Sequence, residues 1–105
     1  LVLTTSTYDV HQDHEVISKE SIRAFRFTSL LGYELPWNNL QFPNQVVVEL
    51  TAAHLDTKLE AIACYQSQRF RKYGDPDLFK KGAQVRGIMN KKDLTEIYEA
   101  IKVYF

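Results

Sequence analysis

The chain has 105 residues, 45% of them hydrophobic and 25% charged, with 13 Lys and Arg balancing 13 Asp and Glu. This composition fits one globular domain and excludes a disordered chain; zero net charge gives no field towards nucleic acid or an anionic membrane, and no apolar run has membrane-spanning length. The one cysteine, Cys64, excludes an internal disulfide framework and points to a reducing, cytoplasmic setting.

Leu1-Val2-Leu3-Thr4-Thr5 is apolar and β-branched, which predicts a buried parallel strand over residues 1–5. It lacks the basic lead and the apolar length of a signal peptide. A buried strand at residue 1 implies missing strands before it, so the chain reads as the carboxyl-terminal part of a larger domain. Residues 6–12 form a polar loop. Asp13 or a neighbour caps a helix from about His14 to Phe25, with Val16, Ile17, Ile22, Ala24 and Phe25 as its apolar set. Residues 30–34 read as a short strand, with Gly32 at a bulge or a close approach. Residues 34–44 form a loop marked by Pro36 and Pro43, and its Trp37 and Phe42 must pack on or contact something.

Residues 45–50 form a second strand, centred on Val46-Val47-Val48. Thr51 caps the longest helix, residues 52–72, with Leu55, Leu59, Ile62 and Gln66 on one face. Gly74-Asp75-Pro76 ends it, and Pro76 suits the first turn of a helix over 77–85 that Gly87 breaks. In the tail, Leu94, Ile97, Tyr98 and Ile101 are helix-spaced, whereas residues 100–105 serve equally as a strand. There is no internal repeat, low-complexity segment or linker.

His11-Gln12-Asp13-His14 lies where an open α/β sheet places its chemistry, beyond a strand end and at a helix start. Two imidazoles and a carboxylate suit a metal site or an acid/base site. The pair falls on a loop and a first helical turn, so the two can do different jobs: one ligates a metal, the other serves as an acid that Asp13 tunes. Surface loops also hold His and Asp with no such role, and a bare HxxH more often means that. His54 reads as an exposed first-turn residue. Cys64 reads as a buried, inert thiol. Arg69-Phe70-Arg71-Lys72 reads as a basic helix end, favoured by the helix dipole. Glu34 divides evenly between a site residue and a loop cap.

The chain as a whole resembles the carboxyl-terminal part of the LmbE/PIG-L family of zinc-dependent de-N-acetylases. Asp9-Val10-His11-Gln12-Asp13-His14 is similar to the family's D-x-H-P/Q-D-H motif, and Ala24-Phe25-Arg26 follows it. Tyr33-Glu34-Leu35-Pro36 is similar to Y-E-x-P, and Phe42-Pro43-Asn44 leads into the next strand as in the family. Lys58-Leu59-Glu60-Ala61 with Ser67-Gln68, then Arg86-Gly87 and Thr95-Glu96-Ile97-Tyr98, resemble its later blocks in order.

The resemblance implies a three-layer α/β/α Rossmann-like sheet, present here as an incomplete half lacking the amino-terminal strands. Residues 1–105 would be the carboxyl-terminal part of a single deacetylase domain. It implies His14 as a Zn2+ ligand. His11 becomes the charged partner of the oxyanion or the acid for the leaving amine, and Asp13 orients the His11 ring. The family's A-H-P-D-D motif, source of the other ligands and the general base, does not occur in this sequence. The implied reaction is hydrolysis of the acetyl group from an N-acetylated amino sugar, GlcNAc-like, or its conjugate. The implied partner is that substrate, with no nucleic acid and no membrane span, and homo-oligomerisation stays open. The last residues become a strand. The alternative is a degenerate, non-catalytic packing module; a third reading is a generic HxxH metal site using His54 or Glu34.

Overall fold

The computed structural model describes residues 1–65 and 75–105. Its elements are β1 (Val2–Thr5), α1 (Gln12–Ala24), β2 (Leu30–Tyr33), β3 (Val46–Glu49), α2 (Ala52–Ala63), α3 (Pro76–Met89) and β4 (Thr95–Lys102). The strands form a mixed sheet in the order β1-β2-β4-β3. β1 pairs with β2 in parallel, Val2 opposite Leu30 and Thr5 opposite Tyr33. β2 pairs with β4 antiparallel, Leu31 opposite Ala100 and Tyr33 opposite Tyr98. Among the described residues no helix is long and apolar enough to cross a membrane.

Residues 1–46 and 97–105 cluster as one unit, and residues 47–96 as a second. In the first, Leu30 and Ile97 are buried beside Thr4, Thr5, Ser6, Asp9, Ser18 and Glu99. Its interior is therefore unusually polar, and hydroxyl pairing does part of the work of apolar packing. His14, Ser18 and Ser21 share the sheltered side of α1 at helical spacing. Thr4 Oγ1 and Ser21 Oγ are hydrogen-bonded at 2.8 Å, and Thr5 Oγ1 donates to the His14 carbonyl at 2.8 Å. The apolar set expected for this helix is instead exposed at Val16, Ile17, Ile22 and Phe25. Small hydroxyl side chains let the helix approach β1 closely while satisfying one another.

Of the two features expected at Gly32 the structure shows the close approach, the sheet irregularity lying earlier in β2. The β2–β4 register shifts between Leu30 and Leu31, and a Cβ on Gly32 would lie 2.8 Å from Ser6 Cα. Chain therefore crosses the end of β2 at a distance only glycine permits.

In the second unit Leu55, on α2, and Ala83, on α3, are buried. Thr51 caps α2 as expected, in a reciprocal box with His54: His54 N–H donates to Thr51 Oγ1, and Thr51 N–H to His54 Nδ1, each at 3.2 Å. α2 ends at Ala63 rather than continuing. The expected extension over residues 66–72, with Gln66 and the basic run 69–72, lies outside the described residues. Cys64 is exposed, not buried, because it is the C-cap of α2.

α3 starts on Asp75 as N-cap with Pro76 in its first turn. It runs through Gly87 to Met89, so Gly87 does not break it. A Cβ there would lie 2.4 Å from the Asp93 carbonyl oxygen, so this glycine serves a backbone crossing. The stop comes later. Lys91, at φ 55°, donates to the Ile88 carbonyl, and Lys92 N–H to that of Gly87 at 2.9 Å, a Schellman closure. β4 is a strand from Thr95 to Lys102, so the strand reading of the tail holds for its first part, and residues 103–105 lie beyond the strand.

Candidate functional site

The site grows from the turn between β1 and α1. Asp9 N–H donates to the Ser6 carbonyl at 3.2 Å, closing the turn beyond β1. Asp9 Oδ1 accepts from His11 N–H at 2.9 Å, a local carboxylate-to-backbone bond that this residue type favours in turns. The following loop braces it: Val10 N–H donates to the Asn38 carbonyl at 3.0 Å, and Asp9 bridges to Asn39.

His11, not Asp13, is the N-cap of α1. Its backbone is extended and its Nδ1 accepts from Asp13 N–H at 3.2 Å. An accepting ring nitrogen carries no proton, so the neutral His11 ring has its proton on Nε2. Asp13 touches the ring through its backbone, while its carboxylate occupies the exposed first turn of α1. That position suits a negative charge at a helix N-terminus.

His14 is held from the other side. Its Nδ1 lies 2.8 Å from Asp9 Oδ2, with the Asp9 side chain wholly buried and that of His14 25% exposed. A carboxylate accepts, so Nδ1 carries the proton and the neutral ring keeps its lone pair on Nε2. A buried carboxylate needs such donors, and Asp9 has two. The rings of His11 and His14 stand 4.7 Å apart between centroids, tilted by 32°. The turn thus brings together a hydrogen-bond donor, at His11 Nε2, and a lone pair able to ligate a metal or take a proton, at His14 Nε2.

The three residues predicted for the site stand together at this junction, His11 as the cap and Asp13 and His14 in the first turn of α1. Asp9 had been given no role, although it is the carboxylate that orients an imidazole. Its spacing two before His11 was the available signal. Glu99 was also missed: it binds Ser6 and Thr7 from a position 93 residues beyond Ser6, and no local pattern foretells such a contact. Phe42 is half-buried and lines a depression of about 160 Å³ with Tyr8, Gln41 and Pro43. His54 is exposed and belongs to the α2 cap. Among the described residues no group of three or more His, Cys, Asp or Glu is placed to hold a metal ion. Comparison with protein-family models, with curated proteins and with solved structures found no match.

Proposed function

We propose that this chain is the carboxyl-terminal part of a zinc-dependent hydrolase that removes the acetyl group from an N-acetylated amino sugar, GlcNAc-like, or its conjugate. Its mixed sheet is then part of a three-layer α/β/α Rossmann-like domain. The observation that carries the reading is the 2.8 Å bond from His14 Nδ1 to Asp9. Carboxylate-held imidazoles of this kind are how proteins fix the tautomer and aim of a metal-ligating histidine. The ordered run of motif-like blocks along the chain supports the same reading.

His14 fits one zinc position through Nε2. A catalytic zinc takes three protein ligands, and this chain's described residues supply no such set. In this reading the remaining ligands and the general base come from an A-H-P-D-D segment outside the chain. Zinc, when bound, supplies a Lewis acid and an activated water. The chain's own residues do the rest. Asp9 keeps the proton on His14 Nδ1 and so frees Nε2. His11 offers Nε2–H to the carbonyl oxygen as it gains negative charge. A charged oxyanion partner and an acid alike would require His11 to take a proton on Nδ1 and release Asp13 N–H, so the cap favours a neutral His11 that donates Nε2–H to the oxyanion.

The test uses the full-length protein that this reading implies. His14→Ala should lose zinc. Asp9→Ala should weaken zinc binding about 10–100-fold. His11→Ala should keep zinc and lose roughly 10²–10³-fold in kcat. Zinc content and acetate release from an N-acetylglucosamine conjugate would be measured for each. The roles are reversed if His11→Ala strips the zinc while His14→Ala retains it, and the reading fails if neither histidine affects activity.

A further inference from the structure

Glu99 is a buried carboxylate that the chemistry above leaves unused. It shares the inward face of β4 with Thr95 and Ile97 and is 6% exposed. The chain following β1 gives it three hydrogen bonds. Ser6 Oγ donates to Oε2 at 2.7 Å, Thr7 N–H donates to Oε2 at 2.8 Å, and Thr7 Oγ1 donates to Oε1. Gly32 makes room for this meeting, since a Cβ there would lie 2.9 Å from Glu99 Oε2.

The held residues pass their order onward. Ser6 Oγ accepts from Tyr8 N–H at 3.1 Å, and the Ser6 carbonyl accepts from Asp9 N–H at 3.2 Å. Asp9 then binds His11 N–H and His14 Nδ1. A continuous run of hydrogen bonds therefore leads from β4 to the histidine ring. Fixing backbone costs conformational entropy, and Glu99 offsets that cost at the two residues where the turn begins.

We propose that Glu99 is a positioning residue for the histidine pair: its carboxylate fixes Ser6 and Thr7, and through them the turn that seats Asp9 against His14. It acts through Asp9 and contacts neither histidine. Its effect on catalysis rests on the deacetylase reading; the positioning itself does not.

Hydrogen-bond acceptance is what the turn requires of this side chain. In Glu99→Gln the amide oxygen takes the Oε2 place, and the Thr7 hydroxyl rotates to accept from the amide nitrogen. Glu99→Leu keeps similar bulk and removes both acceptors. Ser6→Ala leaves Glu99 its Thr7 contacts and cuts the link to Tyr8.

Proton NMR of the metal-free chain follows the His14 Nδ1–H directly. Wild type and Glu99→Gln should exchange it slowly. Glu99→Leu should exchange it about tenfold faster or more, the scale of a lost hydrogen bond to a charged group, with Ser6→Ala between. Amide protection in α2 should stay unchanged, whereas general destabilisation would loosen α2 and His14 together. Wild-type exchange in Glu99→Leu overturns the proposal, as does parallel loosening of α2 or failure of Glu99→Gln to rescue. If Glu99→Leu does not fold, Ser6→Ala decides by the same comparison. If His14 responds as stated while the full-length protein deacetylates nothing, the positioning stands and the deacetylase reading falls.

Discussion

A histidine at an N-cap position satisfies a backbone N–H with a ring nitrogen, and at His11 this fixes which edge of the ring bears the proton. Asp9 does the opposite for His14. The residue types and their closeness are legible in the sequence. The division of labour is not, because Asp9 reaches His14 only once the turn has closed. Glycines show the same limit. Gly32, Gly82 and Gly87 look alike in sequence, yet a Cβ on Gly82 meets nothing within 4 Å while one on Gly32 meets Ser6 and Glu99. Gly32→Ala should cost about 1–3 kcal/mol through overpacking. Gly82→Ala, inside α3, should stabilise by about 0.5–1 kcal/mol. Urea unfolding of both variants would check the contrast; equal effects would show that the crossing at Gly32 is not tight.

At the scale of elements, caps and breakers were readable where they act on neighbouring residues. Thr51 starts α2, and Asp75-Pro76 starts α3, because capping involves only the next few N–H groups. Gly87 misled because its purpose is the distant Asp93 backbone rather than a helix end. The face of α1 also misled, since Ser18 and Ser21 rather than Val16 and Ile17 are sheltered. On the exposed side of α1, Lys19 hydrogen-bonds Glu15 four residues earlier and holds its carboxyl below the ordinary 4.5, with charge attraction adding to the hydrogen bond. A depressed folded-state pKa contributes stability above the unfolded value and loses it as pH falls through the folded value. Lys19→Ala should therefore be slightly less stable than wild type at neutral pH and equal to it well below 4.5. Urea midpoints at the two pH values measure this, and a difference that persisted in acid would exclude the ion pair as its source.

For the whole molecule, the site occupies the unit of residues 1–46 and 97–105, whereas His54 lies in the unit of residues 47–96. With His14 as its one proposed ligand, the 105-residue chain should bind zinc weakly in a calorimetric titration. His54→Ala should leave that weak binding unchanged, because His54 Nδ1 is engaged in the α2 cap. Tight, stoichiometric binding that survives His54→Ala would place the ligands elsewhere.

What the sequence by itself determined is local: the α/β alternation, the two helix starts at Thr51 and Asp75, and the grouping of His11, Asp13 and His14 at a strand-to-helix junction. Apolar periodicity and capping depend on residues within a turn or two of one another, so they can be read along the chain. Tertiary structure decided the strand order β1-β2-β4-β3, the polar contact of α1 with β1, and the choice of Asp9 and Glu99 as the carboxylates that hold the site. Those depend on which distant groups must satisfy one another once buried, and a carboxylate on β4 meets the hydroxyl of Ser6 only when the sheet has brought both ends of the chain together.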